Sequence, residues 1–257
     1  IRLLAGILRP DGGEVCVLGY DLFRQTETIK RHIGYVAQNF ALYADMTVYE
    51  NLSFYAGLYG VSDRQRYTKL LETYDLEQFR NRAAGKLSGG YKRRLSIACA
   101  TAHRPKLLFL DEPTAGIDPV TRKELWDLFY RLSTDGITLF VTTHYMEEAE
   151  RCHRLAFINH GRSVIQGTPQ AIRDSLTDHI VYACNMPHQP ALLDELNHID
   201  GVSLINQFGD QLRIITDDTV TIAQVSALVG RFDTAARVEV VQPGIEDAFM
   251  ALTAGKG

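Results

Sequence analysis

Two apolar runs constrain this chain more than any other feature. "KLLFLDEP" starts at Lys106 and closes on two acids and a proline, and "GITLFVTTH" runs from Gly136 to His144. Successive positions are apolar in both, so neither face is left for water. That pattern fits strands buried in a parallel sheet with helices on each side. Between them, Arg122 to Ser133 places Leu125, Trp126, Leu128, Phe129 and Leu132 at helical spacing, which predicts a crossover helix. Open sheets of this kind take ligands beyond the carboxyl ends of their strands.

The flanking sequence supplies the other elements. Ile1 to Leu8 reads as the last turns of a helix closed by Arg9-Pro10 and "DGGE", and "VCVLGYDL" as a short strand turning at Gly19. A strand is predicted from Ile33 to Ala37, ending at Gln38. Helices follow from Thr47 to Tyr59, opened by a Thr47/Glu50 capping box, from Asp63 to Tyr74, and from Ser88 to about Ala102. Tyr145 to Arg151 is helical, and "RLAFINHGRSVIQG" is a hairpin turning at His160-Gly161.

Beyond about Leu176 the order becomes β-α-β-β-α-β, the pattern of a split βαβ, ferredoxin-like unit. Its strands are expected over His179–Asn185, Val202–Phe208, Gln211–Thr216 and Val238–Val241. Helices are expected over Pro190–Leu196 and Ile222–Gly230, with a final one over Ile245–Leu252. Period-two and helical spacing nominate Ile180, Val202, Leu204, Leu212, Ile214, Val225, Val238 and Val240 as its core. The expected division is therefore an α/β domain over 1–176 and a small α+β accessory domain over 177–257.

Charge and cysteines exclude several classes. A net charge of −4 disfavours nucleic-acid binding, and Lys92-Arg93-Arg94 is too short to read as a nucleic-acid tail. The 4 cysteines show no C-x-x-C pairing, which fits a reduced, cytosolic chain without a metal site. No apolar run approaches the ~18 residues needed to cross a bilayer.

The chemistry collects at strand ends. Asp111 can hold Mg²⁺ through water, and Glu112 beside it can polarise an attacking water. His144 can bond a terminal phosphate, and the Gln38 amide can reach metal or water. Taken singly, each also fits a plainer role: a loop-opening acidic pair, a surface histidine, a strand-end amide. "LSGG" (Leu87-Ser88-Gly89-Gly90) sets glycines before a helix, where backbone N–H groups and the helix dipole favour an anion. The phosphate-loop pattern G-x-x-x-x-G-K-[ST] occurs nowhere. The nearest candidate, Gly85-Lys86, has Arg80 in place of the first glycine and Leu87 in place of the hydroxyl.

In this fixed order the motifs resemble those of the ATP-binding cassette (ABC) ATPases over Ile1 to about Leu176. "DEPTAGIDPVTR" and "GIEDAFMALT" narrow the resemblance to the drug- and antibiotic-exporter branch. The resemblance implies a P-loop NTPase-like cassette with a helical subdomain. Gln38 corresponds to the Q-loop glutamine, a further Mg²⁺ ligand beside Asp111. Leu87, Ser88, Gly89 and Gly90 correspond to the signature, Glu112 to the catalytic glutamate, Asp118 to the D-loop aspartate and His144 to the switch histidine. ATP and Mg²⁺ follow as cofactors, with a second cassette and membrane permease subunits as partners at the cytoplasmic membrane face. The permease contact is expected around Asn39–Tyr59, which holds Phe40, Tyr43 and Tyr49. Tyr91 departs from the Met or Gln usual in this branch. The family's phosphate loop would stand just before the helix that Ile1–Leu8 finishes, so the chain is expected to begin downstream of that loop's lysine. Such a fragment is expected not to hydrolyse ATP alone, whereas its intact parent would. Two alternatives stand beside the exporter reading: a soluble ABC ATPase of translation or chromosome maintenance with a second cassette upstream, and a degenerate, non-hydrolysing cassette acting only as a binding module, against which the intact Asp111, Glu112 and His144 argue.

Overall fold

The structure is a computed structural model that describes residues 1–254, so residues 255–257 of the expected accessory domain lie outside the described residues. The chain divides into two compact units between His144 and Tyr145.

The first unit opens with turns rather than a regular helix. Ala5 N donates to Ile1 O and Ile7 N to Arg2 O, which closes single turns only. "VCVLGYDL" is a small hairpin, β1 (Cys16–Val17) against β2 (Tyr20–Asp21), in place of the one strand expected. Leu18 and Gly19 both take positive φ and reverse the chain there. After α1 (Thr26–His32), strand β3 (Ile33–Val36) pairs in parallel with β4 (Leu107–Asp111), and β4 with β5 (Thr138–Thr142). Central β4 is buried along nearly its whole length, as its apolar run predicts. β5 departs from the prediction: it lies at the edge of this three-stranded sheet, and Phe140 is 42% exposed.

Between β3 and β4 stand α2 (Val48–Leu58), α3 (Arg64–Thr73) and α4 (Gly89–Thr101). The Thr47/Glu50 capping box is present, with Thr47 N donating to Glu50 Oε2 and Glu50 N to Thr47 Oγ1. α4 lies hard against β3: a Cβ on Gly34 would stand 2.4 Å from Ala100 O, so only glycine permits this approach. The crossover helix α5 (Pro119–Thr134) is capped by Asp118, and it buries Leu125, Trp126, Leu128, Phe129 and Leu132 as expected.

The second unit begins with a short helix, α6 (Met146–Ala149), the hairpin β6 (Leu155–Asn159)/β7 (Arg162–Gly167) and α7 (Pro169–Asp174). Then come β8 (Ile180–Asn185), α8 (Pro190–Asn197), β9 (Val202–Phe208), β10 (Gln211–Thr216), α9 (Ile222–Phe232), β11 (Val238–Val241) and α10 (Ile245–Ala254). The four strands form an antiparallel sheet in the order β11-β8-β10-β9. Tyr182, Cys184, Leu212 and Ile214 pack against Leu192 and Leu196 of α8 and Val225 and Val229 of α9.

Two nominated core residues behave differently. An irregularity at Ile215/Thr216 skips Ser203, so Leu204 pairs with Ile215 and Ile205 takes the place at the core. Val240, on the edge strand, is 61% exposed. The compact unit starts earlier than residue 177 for a clear reason. Ile245 and Ala248 of α10 close over Ala149, Phe157, Ile172 and Leu176, giving the hairpin and α7 their apolar cover.

Candidate active site

Three sequence-nominated residues meet on one atom. Gln38 Nε2 donates to Glu112 Oε2 at 3.0 Å, and His144 Nδ1 lies 3.3 Å from the same oxygen. They arrive from the carboxyl ends of three adjacent parallel strands, where an open α/β sheet places its ligands. Glu112 has φ +43°, a left-handed conformation that costs a non-glycine residue about 1–3 kcal/mol and concentrates at functional sites. Its backbone N–H is tied to Thr142 O at 3.1 Å and Thr142 Oγ1 at 3.0 Å, so β5 holds the strained residue in place.

Asp111 sits beside this cluster with both oxygens engaged. Thr142 Oγ1 donates to Oδ1 at 2.8 Å and Tyr35 OH to Oδ2 at 3.2 Å. Burial, then the Asp111 charge, push the Tyr35 phenol above its usual pKa, so the tyrosine stays protonated and donating. Sequence reasoning missed Tyr35 and Thr142, because a hydroxyl within an apolar strand carries no signal of its own. It also missed Arg93, whose Nη1 and Nη2 donate to Ala37 O and Gln38 O at 2.6 and 2.7 Å. In the sequence Lys92-Arg93-Arg94 looks like one basic patch, whereas in the structure Arg93 and Arg94 are buried.

The glycine turn stands at the N-terminus of α4. Ser88 is the N-cap residue, yet its side chain makes no capping bond, which leaves the hydroxyl available beside the helix N–H groups. Leu87 is 6% exposed and anchors the turn. A Cβ on Gly90 would lie 2.5 Å from Thr121 Cγ2, whereas one on Gly89 would meet only Ile117 at 3.6 Å. Gly90 thus permits packing of α4 against α5, and Gly89 presents open backbone. Asp118 accepts from Thr121 N at 3.0 Å, and that bond holds its carboxyl below the usual pKa.

The donor set fits a metal–phosphate edge. One carboxylate is oriented by two hydroxyls, and a second is aimed by an amide and an imidazole. Among the described residues no group of three or more His, Cys, Asp or Glu could cage a metal ion. Mg²⁺ needs no such cage, since it commonly takes one or two carboxylates plus water and phosphate oxygens.

Comparison with known proteins identifies the family. A family model described as ABC transporter matches residues 1–115. The probable multidrug ABC transporter ATP-binding protein YbhF of Escherichia coli (strain K12) is 35% identical over 100% of this chain and 45% of its own length. The daunorubicin/doxorubicin resistance ATP-binding protein DrrA of Streptomyces peucetius is 38% identical over 70% of this chain and 56% of its own length. The chain thus spans about half the length of these relatives. The Nod factor export ATP-binding protein I of Rhizobium etli is 35% identical over 98% of this chain and 79% of its own length. An ATP-binding subunit of an ABC transporter superposes with a TM-score of 0.61 at 28% identity, covering 68% of this chain and 75% of that one. A dimeric, post-hydrolysis ATP-binding cassette bound to ADP and Pi gives a TM-score of 0.59 at 27% identity, covering 65% and 78%.

Proposed function

Because this chain belongs to the ATP-binding proteins of ABC transporters, we propose that it supplies the hydrolytic edge and the signature turn of an ATPase that powers export through a membrane permease. The observation that carries the reading is the convergence of Gln38 and His144 on Glu112 Oε2. Glu112 takes the proton of the attacking water, and the strained backbone aims its carboxylate out of the sheet. Gln38 and His144 fix which oxygen is oriented. Asp111, with the Gln38 side-chain oxygen, would hold Mg²⁺, which supplies charge neutralisation at the phosphates. The Ser88 hydroxyl and the Gly89 and Gly90 backbone receive the terminal phosphate of a nucleotide held by a second cassette, with Asp118 at the same junction.

The assembly is a pair of cassettes against permease subunits, at the cytoplasmic face of the membrane. Among the described residues no helix is long and apolar enough to cross a membrane. The permease surface is the exposed aromatic patch where Tyr43 meets Phe54 edge-to-face at 5.3 Å. The names of the relatives speak of a multidrug ABC transporter, daunorubicin/doxorubicin resistance and Nod factor export. This variety of cargo supports a drug- or small-molecule exporter whose permease selects the substrate. The segment from about Thr177, which folds within the second unit, acts as a ferredoxin-like accessory domain that tunes cassette pairing.

A complementation experiment in the full-length protein tests the proposal. Gly89→Asp places a carboxylate against the incoming phosphate. It should spare ATP binding to the monomer and abolish hydrolysis by the pair. Mixed with a partner whose own phosphate loop is disabled, it forms dimers with one intact site, so partial activity should return. If heterodimers form and no activity returns, the turn does not serve a partner's nucleotide.

A further inference from the structure

We propose that Arg93 is a positioning residue for hydrolysis: it ties the signature helix to the water-activating carboxylate by holding the Gln38 segment in place. The proposal rests on the hydrolytic reading above. Arg93 lies near the start of α4, on the helix that Ser88 caps, and is 9% exposed. Its guanidinium donates to two consecutive carbonyls, Ala37 O at 2.6 Å and Gln38 O at 2.7 Å. Those carbonyls belong to the residues that follow β3 directly, and the Gln38 side chain then reaches Glu112 Oε2 at 3.0 Å. One continuous path therefore runs from the signature turn through α4 and Arg93 to the Gln38 backbone, the Gln38 amide and Glu112.

The choice of partners argues against a purely structural role. Burying a guanidinium is costly, and proteins usually offset that cost with a carboxylate. Arg94, the next residue, follows this rule, bonding Asp75 at 2.6 Å and Glu124 at 2.9 Å. The Asp111 charge acts on Arg93 from nearby, yet its two charge-assisted hydrogen bonds go to neutral carbonyls of the segment that carries Gln38. A planar fork fixes the direction of both carbonyls, and through the backbone it fixes where the Gln38 side chain starts. A shift of α4 would be passed to Glu112 as a shift in its amide partner.

The test has two arms. In the ¹⁵N-labelled 257-residue chain, Arg93→Met, which keeps length but removes the donors, should move the Gln38 side-chain amide resonance. Arg94→Met should leave that resonance in place while lowering the melting temperature. In the full-length protein, Arg93→Met should lower kcat about 10–10²-fold, the usual cost of a misplaced reacting group. The KM for ATP should stay within about threefold, and Arg93→Lys should recover part of kcat. Arg94→Met should keep kcat within about twofold. An Arg93→Met protein that is folded yet keeps both the resonance and kcat overturns the proposal. So does an equal loss of kcat in the Arg93 and Arg94 variants, which would mark a structural effect. If the resonance moves but the wild-type full-length protein hydrolyses no ATP, the hydrolytic reading fails and the Arg93–Gln38 link stands.

Discussion

Glu112 in the first unit and Asp247 in the second are both held by named partners, and the two are held in opposite ways. Asp247 in α10 is 4% exposed and saturated: Arg213 donates from Nε at 2.9 Å and Nη2 at 2.6 Å, and Gly244 N donates at 2.7 Å. Both of its oxygens are committed, and its residue lies in ordinary helix. Glu112 is 31% exposed at the side chain, sits on a left-handed backbone, and draws both Gln38 and His144 to a single oxygen. A saturated carboxylate holds elements together. A carboxylate aimed through one oxygen at a strand tip keeps lone pairs free for a proton. On the proposed function the Glu112 arrangement serves the chemistry, whereas the Arg213–Asp247 pair ties β10 to α10.

The widest test of this contrast is Glu112→Gln in the full-length protein. It should leave ATP binding intact and slow hydrolysis about 10²–10⁴-fold, the usual worth of a general base. Single-turnover assays beside equilibrium ATP binding would show it. A rate within twofold of wild type would remove Glu112 as the base and collapse the distinction between the two carboxylates.

Asp247→Ala probes the other side. Removing one member of a buried pair strands the Arg213 charge, at a cost of about 3 kcal/mol, or roughly 10² in the folded-to-unfolded ratio. Hydrogen exchange should rise in β10 and α10 and stay unchanged in β3 and β4. Protection lost equally in both units would mean that they do not fold independently. A smaller effect, about 1 kcal/mol, is expected for Thr47→Ala, which removes the hydroxyl that accepts from Glu50 N at 3.1 Å. Denaturant midpoints at constant m-value would measure it.

Much of this was legible in the sequence where a local rule decides. Val202–Phe208, Gln211–Thr216 and Val238–Val241 fall where alternation and turn residues put them. The Thr47 cap and the α5 core follow from side-chain chemistry and helical spacing alone. The rest depends on neighbours. An apolar run cannot tell a central strand from an edge, so β4 and β5 read alike although only β4 is covered. Ser203 carries no mark of the irregularity that turns Leu204 over. Adjacent arginines at 93 and 94 look like one basic patch until their partners are known. At the site, individual residues suggested acids, an amide and an imidazole at strand ends. The expectation that they act together came from the family resemblance, and their meeting on Glu112 Oε2 is a tertiary fact.

The smallest predicted effect is the sharpest check on that lesson. Period two puts Val238 and Val240 on one face, and the register agrees, setting them opposite the buried Cys184 and Tyr182. Yet on edge strand β11 Val238 packs against the core whereas Val240 is 61% exposed, so the core-side face of this strand is covered at only one of the two positions. Val240→Ala should therefore change stability by less than about 0.5 kcal/mol, the range of ordinary surface substitutions. Leu212→Ala, on central β10 and fully buried, should cost about 2–5 kcal/mol through lost burial and the cavity left behind. Paired chemical-denaturation curves for the two variants compare them directly. A Val240→Ala cost above about 1.5 kcal/mol would mean that this edge is covered in solution, and that alternation alone had ranked the two valines correctly.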